Sequence, residues 1–228
     1  MSACEPLKPG TLPVLSMVRT VLFPGMRCAI LLATDRARAA LQASVAHKHP
    51  STVAVFATRE SAALDPEPAD LYEVGAAARV MRLSRRRCCG RWVAELEGLG
   101  RVRSLDYVRA DPFREAQCEP VPDPSEDPSL LVALAAAIRN AAIQVHESLP
   151  HCQHVRRALA SAEGARGPED FPGAVYDLLL HLGVSERQRL LEMEPLSVRL
   201  EATLREIYAH HMLPDTSTRR GGREALLH

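Results

Sequence analysis

Lysine is almost missing: only Lys8 and Lys48 stand among 28 basic residues. That scarcity excludes two chemistries. A phosphate-binding loop of the form G-x-x-x-x-G-K-[ST] needs its lysine at the terminal phosphates, yet Lys8 precedes Pro9 and Lys48 precedes His49. A Ser-Lys dyad needs a desolvated, neutral amine, and both lysines lie in polar segments. Net charge is missing too, +0 at pH 7, so no global field draws the chain to nucleic acid or an anionic surface. Aromatics make up 4% of the chain, too few for a platform on which bases stack. The six cysteines (Cys4, Cys28, Cys88, Cys89, Cys118, Cys152) show no CxxC spacing and no secreted context, which predicts reduced thiols. No uncharged apolar run approaches the roughly 18 to 20 residues of a membrane helix. Met1 to Gly10 lacks the basic start and apolar centre of a signal peptide. The expectation is a cytoplasmic protein with no membrane partner.

What is present changes period along the chain. The 228 residues, 46% hydrophobic, suffice for one large core or two small ones. Short apolar runs punctuated by turn residues predict strands at Leu12–Met17, Val21–Phe23, Cys28–Leu32, Thr52–Thr58, Val74–Leu83, Trp92–Glu97 and Val102–Val108. One helix, Asp35–Ala46, is inserted among them behind a Thr34 or Asp35 cap. Pro120, Pro122, Pro124 and Pro128 mark an acidic linker. Beyond it the spacing is helical. Asp127-Pro128 opens a first helix, His151–Ala162 and Ala174–Leu182 read as a second and third, a Ser185 capping box opens a fourth, and Leu196–His211 is a fifth. The expected division is a flexible N-terminus over 1–10, a strand-rich unit over 11–119, the linker over 120–128, a helical bundle over 129–212 and a disordered tail over 213–228. The fold class is α+β.

Four ordered motifs make the reading specific. Leu12-Pro13-Val14-Leu15, Leu22-Phe23-Pro24-Gly25-Met26, Asp70-Leu71-Tyr72-Glu73-Val74-Gly75 with Ala78-Arg79-Val80, and Glu97-Gly98-Leu99 with Arg101-Val102 together resemble the N-terminal substrate-binding domain of the LON protease family. The likeness continues through Gln188, Leu190-Leu191-Glu192 and Val198-Arg199-Leu200. The resemblance implies a PUA-like β-barrel followed by a helical bundle, and a non-catalytic role in recognising unfolded or damaged polypeptides. It also implies that the ATPase and peptidase modules of a full LON protease are not in this chain, so a separate LON-type protease or other ATPase becomes a candidate partner. Within it, Phe23, Pro24, Gly25, Tyr72, Val74, Gly75 and Gly98 are expected to be architectural. Pro24 presets φ and Gly25 accepts the positive φ of a type II turn.

Candidate sites follow. Met26, Leu31, Asp35, Arg36 and Arg38 border the turn and the inserted helix, where charged residues beside an apolar groove could orient a bound segment; for Asp35, Arg36 and Arg38 an ordinary solvated helix face is the favoured reading, since charged first turns are common. Arg82, Arg85, Arg86, Arg87 and Arg91 surround Cys88-Cys89 at a hairpin tip. They support an alternative reading as a nucleic-acid or small-ligand module, against which the neutral charge weighs. His146, His151, Cys152, His154, His181 and the His210-His211 pair have no metal-ligand spacing. No metal, cofactor or catalytic group is expected, no nucleophile sits beside a base at recognisable spacing, and the residues set no oligomeric state.

Overall fold

The strand-forming half carries its apolar residues on both faces, and the chain arranges them as a barrel with one face turned outward. In the computed structural model, which describes residues 7–46, 51–59, 65–87 and 90–212, the strands are β1 (Gly10–Met17), β2 (Arg27–Leu31), β3 (Thr52–Ala57), β4 (Val74–Arg85), β5 (Trp92–Arg109) and β6 (Glu115–Pro120). Their order is β2-β5-β4-β3-β1-β6, and β5 also pairs with β6, which closes β5, β4, β3, β1 and β6 into a ring. β2 is an appendage on the first part of β5, paired from Arg27↔Glu97 to Leu31↔Val93. Helix α1 (Asp35–Ala46) carries the chain from β2 to β3, with the Thr34 hydroxyl accepting from the Ala37 amide at 3.1 Å as its cap. The expected tail, the Cys88-Cys89 pair, Cys4 and Lys48 lie outside the described residues.

Successive residues of β3 serve two cores. Ala54 and Phe56 join Val14, Ala77, Val102, Ala116 and Cys118 inside the ring, while Val53 and Val55 face outward into a second cluster, as the two-residue period of a strand requires. That outer cluster is continuous with the helical half. It contains Leu15, Phe23 and Leu96 from the barrel and Ile138, Leu179, Leu191 and Leu200 from the helices. The helices are α2 (Pro128–Ser148), α3 (Gln153–Glu163), the single turn α4 (Phe171–Ala174), α5 (Val184–Glu192) and α6 (Leu196–His211). Asp127 caps α2 by accepting from the Ser129 amide at 2.9 Å. Among the described residues α2 alone is long and apolar enough to cross a membrane. Arg139 interrupts it, and its stripe of Ala135, Ile138, Ala141, Ala142 and Val145 is buried in the shared core.

Several expected elements differ from the observed ones. Val21–Phe23 is buried but unpaired, because its job is to bring the following turn against other backbones. The two strands expected at Trp92–Glu97 and Val102–Val108 are one, running through Gly98 and Gly100. β6, Glu115–Pro120, is a strand not among those expected, at the end of the strand-rich unit and reaching the first residue of the expected linker. The third helix is broken into α4 and a 3-10 turn, Tyr176–Leu179. At the fourth helix the cap lies earlier than Ser185: the Glu186 carboxylate accepts from the Gly183 amide at 2.6 Å.

The turn at Pro24-Gly25 is the pin between the halves. Gly25 has φ 73°, and the Met26 amide donates to the Phe23 carbonyl at 3.2 Å, the geometry of a type II turn. Gly25 N–H then donates to Gly98 O at 3.0 Å and Gly98 N–H to Met26 O at 2.9 Å. From the other side Gly173 of α4 meets the Pro24 carbonyl so closely that a Cβ there would lie 2.2 Å from it. Beside the pin, buried Glu97 is approached by Arg27 at 2.9 Å, Arg166 at 3.6 Å and Arg79 at 3.7 Å.

Candidate functional site

β2 has one free edge, and hydrogen-bond parity shows which groups it presents. Leu32 N–H donates to Trp92 O and Gly98 N–H to Met26 O. With the register constant from Arg27 to Leu31, the even-numbered residues are therefore the ones bonded to β5. The N–H and C=O groups of Arg27, Ala29 and Leu31 point the other way, and among the described residues no strand pairs with them. Facing this edge is the C-terminal part of β1. β6 pairs only with Gly10 to Pro13, so Leu15, Ser16 and Met17 run on without it. The two edges leave a split in the barrel wall. A cavity of about 220 Å³ lies in the split, lined by Leu15, Met17, Ile30, Leu31, Thr34 and Ala37 among others. It is below the roughly 300 to 1,000 Å³ of small-molecule sites and suits one apolar side chain.

The five residues expected to border a groove are dispersed. Leu31 lines the cavity and is 47% exposed. Met26 is buried in the shared core at 8% exposure, so its side chain is unavailable to a ligand; the turn that positions it faces α4. Arg36 reaches Asp65 at 2.6 Å and Asp111 at 3.5 Å, across the mouth of the barrel. Arg38 pairs with Asp35 at 3.1 Å on the outer surface of α1. Ser16, Ile30, Thr34 and Ala37 belong to the cleft but were not among the candidates. No local signal marks them, since a free strand edge is decided by the pairing of the whole sheet.

Of the residues read as architectural, Gly75 and Gly98 stand at close backbone approaches. A Cβ on Gly75 would lie 2.2 Å from Val55 O and one on Gly98 2.1 Å from Phe23 O. Val74 O accepts from buried Gln188 at 2.8 Å, and Arg59 stacks over the Tyr72 ring at 5.1 Å. The arginines of the β4–β5 hairpin extend beyond the barrel. Arg85 donates to Gly90 O at 2.8 Å, while Arg82, Arg86, Arg87 and Arg91 are exposed and pair with no carboxylate among the described residues. Burial pushes the Cys28 and Cys118 thiols up to about 11, so both are protonated and unreactive near neutrality. His181, His210 and His211, apart in sequence, stand together at the ends of two helical segments. Burial, then the neighbouring His210, lowers the His181 pKa.

A family model described as the ATP-dependent protease La (LON) substrate-binding domain matches residues 11–208. The Lon protease of Anaeromyxobacter dehalogenans is 28% identical over 202 residues, which is 86% of this chain and 23% of that protein. The Lon protease of Phenylobacterium zucineum is 29% identical over 196 residues, 85% of this chain and 24% of that protein. The chain thus spans under a quarter of the length of the curated relatives it matches. Among solved structures, the N-terminal domain of Mycobacterium avium complex Lon protease has a TM-score of 0.65 at 20% identity, covering 88% of this chain and 100% of that one. A Lon N-terminal domain protein from Xanthomonas campestris has a TM-score of 0.53 at 18% identity, covering 86% and 98%.

Proposed function

We propose that this chain, which belongs to the ATP-dependent protease La (LON) substrate-binding domain family, captures extended apolar segments of unfolded polypeptide by adding them as a strand between β2 and β1. The observation that carries this reading is the row of outward N–H and C=O groups at Arg27, Ala29 and Leu31 beside an apolar cavity. Main-chain bonds at such an edge recognise any extended backbone, and a side-chain pocket adds preference without strict sequence. Three strand residues offer few bonds, each worth about 0.5 to 1.5 kcal/mol net, and a flexible client loses entropy on ordering. Affinity is therefore micromolar or weaker, and the role is binding alone: the chain works as a cytoplasmic quality-control adaptor that delivers clients to a separate LON-type protease or other ATPase. Several chains acting together would gain avidity.

Ala29→Pro tests the mechanism. The Ala29 N–H points away from β5, so proline deletes an outward donor without removing a ladder bond, the situation in which edge strands accept it. Binding of an unfolded, apolar fluorescent peptide, followed by anisotropy, should weaken about three- to tenfold, with the circular dichroism spectrum unchanged. Equal affinity in a folded variant would sink strand addition. A second reading rests on the exposed hairpin arginines, which pair with no carboxylate among the described residues and suit a phosphate backbone. It is favoured instead if RNA binds and is released steeply by salt.

A further inference from the structure

We propose that His181, His210 and His211, with Glu206 as the fourth donor, form a binding site for a divalent transition metal of the zinc class. One potential ligand atom from each of the three imidazoles lies within 4.8 Å of the others. Two of the rings are oriented by the same backbone group. His181 Nδ1 lies 3.1 Å from Leu178 O and His211 Nε2 lies 3.0 Å from it. A carbonyl only accepts, so both of those ring nitrogens carry the proton and donate. The lone pairs are left on His181 Nε2 and His211 Nδ1. A ring held through one nitrogen by a main-chain carbonyl, with the other nitrogen available, is how metal-ligating histidines are commonly arranged. His181 Nε2 in turn faces the Glu206 carboxylate, 3.7 Å from its Oε2. Glu206 and His210 are four residues apart on α6 and so share one side of the helix.

Coordination asks for a modest rearrangement. The His181 and His210 rings are stacked with centroids 3.8 Å apart and planes 7° apart, and His211 meets His210 edge-on at 4.7 Å. A metal lies in the plane of each imidazole that binds it, so the stacked pair must tilt toward a common point. Zn–N bonds of about 2.0 to 2.1 Å in a tetrahedron set ligand nitrogens about 3.3 Å apart, so the side chains must draw together from a spacing of up to 4.8 Å. His181 and His210 are exposed, His211 is partly buried and the Glu206 side chain is 37% exposed, so an ion can enter. Three imidazoles and a carboxylate are borderline donors that suit Zn²⁺, Co²⁺ or Ni²⁺ and do not suit Mg²⁺ or Ca²⁺. The site would fasten the end of α6 to the turn that precedes α5.

The test uses the untagged full chain, freed of metal by chelator and titrated with Co²⁺. The visible absorption of bound cobalt should saturate at one equivalent and be displaced by Zn²⁺. His210→Ala should weaken binding at least about tenfold, and His181→Ala likewise, whereas His151→Ala with His154→Ala should leave affinity unchanged. His210 is exposed, so its variant keeps the fold and decides the matter if His181→Ala destabilises the chain. Absence of saturable binding, or an equal affinity in His210→Ala, would overturn the site. The outcome is independent of whether peptides bind the β1–β2 cleft.

Discussion

Gly98→Ala should lower folding stability by about 3 to 4 kcal/mol, the upper range for a single substitution and a large part of the total for a domain of this size. A Cβ at this position would lie 2.1 Å from the Phe23 carbonyl oxygen and 3.0 Å from its carbon. Those neighbours are main chain, which cannot rotate away as a side chain can. Two hydrogen bonds hold the segments in register, Gly25 N–H to Gly98 O at 3.0 Å and Gly98 N–H to Met26 O at 2.9 Å, so relief of the clash breaks one or both. Phe23, wholly buried against Tyr176 with ring centroids 5.9 Å apart, would shift with them. Gly10→Ala is the control. Nothing lies within 4 Å of its added Cβ, and its stability should stay within about 0.5 kcal/mol of the parent. Urea denaturation of the two variants separates a steric role for Gly98 from a generic effect of replacing glycine; a cost below about 1 kcal/mol would contradict the close approach.

The same turn shows what local chemistry reveals and what it leaves out. Phe23-Pro24-Gly25 announces a type II turn because proline and glycine constrain φ independently of their surroundings. Nothing local announces that Gly98 and Gly173 are its partners, since Gly173 comes from the helical half and is brought there only by the common core. Gly98 and Gly100 looked like the end of a strand, though the backbone approach that requires a missing side chain at Gly98 also lets β5 continue. Helix starts were legible where a side chain answers the first turn, as at Thr34 and Asp127. The break after Ala174 was not, because Val175–Leu180 keeps helical hydrophobic spacing while its backbone tightens into a 3-10 turn. The cleft was half legible. Leu31 was named from its neighbourhood, but the outward groups of β2 depend on a register that only pairing with β5 decides. The spacing of His181, His210 and His211 along the chain resembles no metal-ligand pattern, because spacing cannot report a cluster assembled from separate segments.

Asp123→Ala should cost about 3 to 5 kcal/mol, the range for removing one partner of a buried ion pair. Asp123 lies in the segment expected to be a simple connection between the halves, yet it is the shared acceptor of two buried arginines. Arg101 of β5 donates to its Oδ1 at 2.9 Å and Arg199 of α6 to its Oδ2 at 2.6 Å. Both arginine side chains are 2% exposed and the Asp123 side chain 22%, so the charges left behind by its removal are the buried ones. Arg101 retains Glu194 at 3.2 Å and the Leu191 carbonyl at 3.3 Å, whereas among the described residues the Arg199 guanidinium keeps the Met193 carbonyl at 2.8 Å as its remaining hydrogen-bond acceptor. Removing the carboxylate therefore strands the α6 charge most severely, next to a second positive charge and away from water. Because barrel and helices share one apolar cluster, the loss should appear as one cooperative transition. The fluorescence of Trp92, the sole tryptophan, reports the barrel and far-ultraviolet circular dichroism reports the helices, and both midpoints should fall together. Replacing all three side chains, Arg101→Met, Asp123→Leu and Arg199→Met, should recover much of the stability, since a buried network can be exchanged for packed apolar groups and Glu194, which loses Arg101, is 45% exposed to water. Separate midpoints for the two signals, or a triple variant no better than Asp123→Ala, would mean that the carboxylate does not act as the electrostatic tie between the halves.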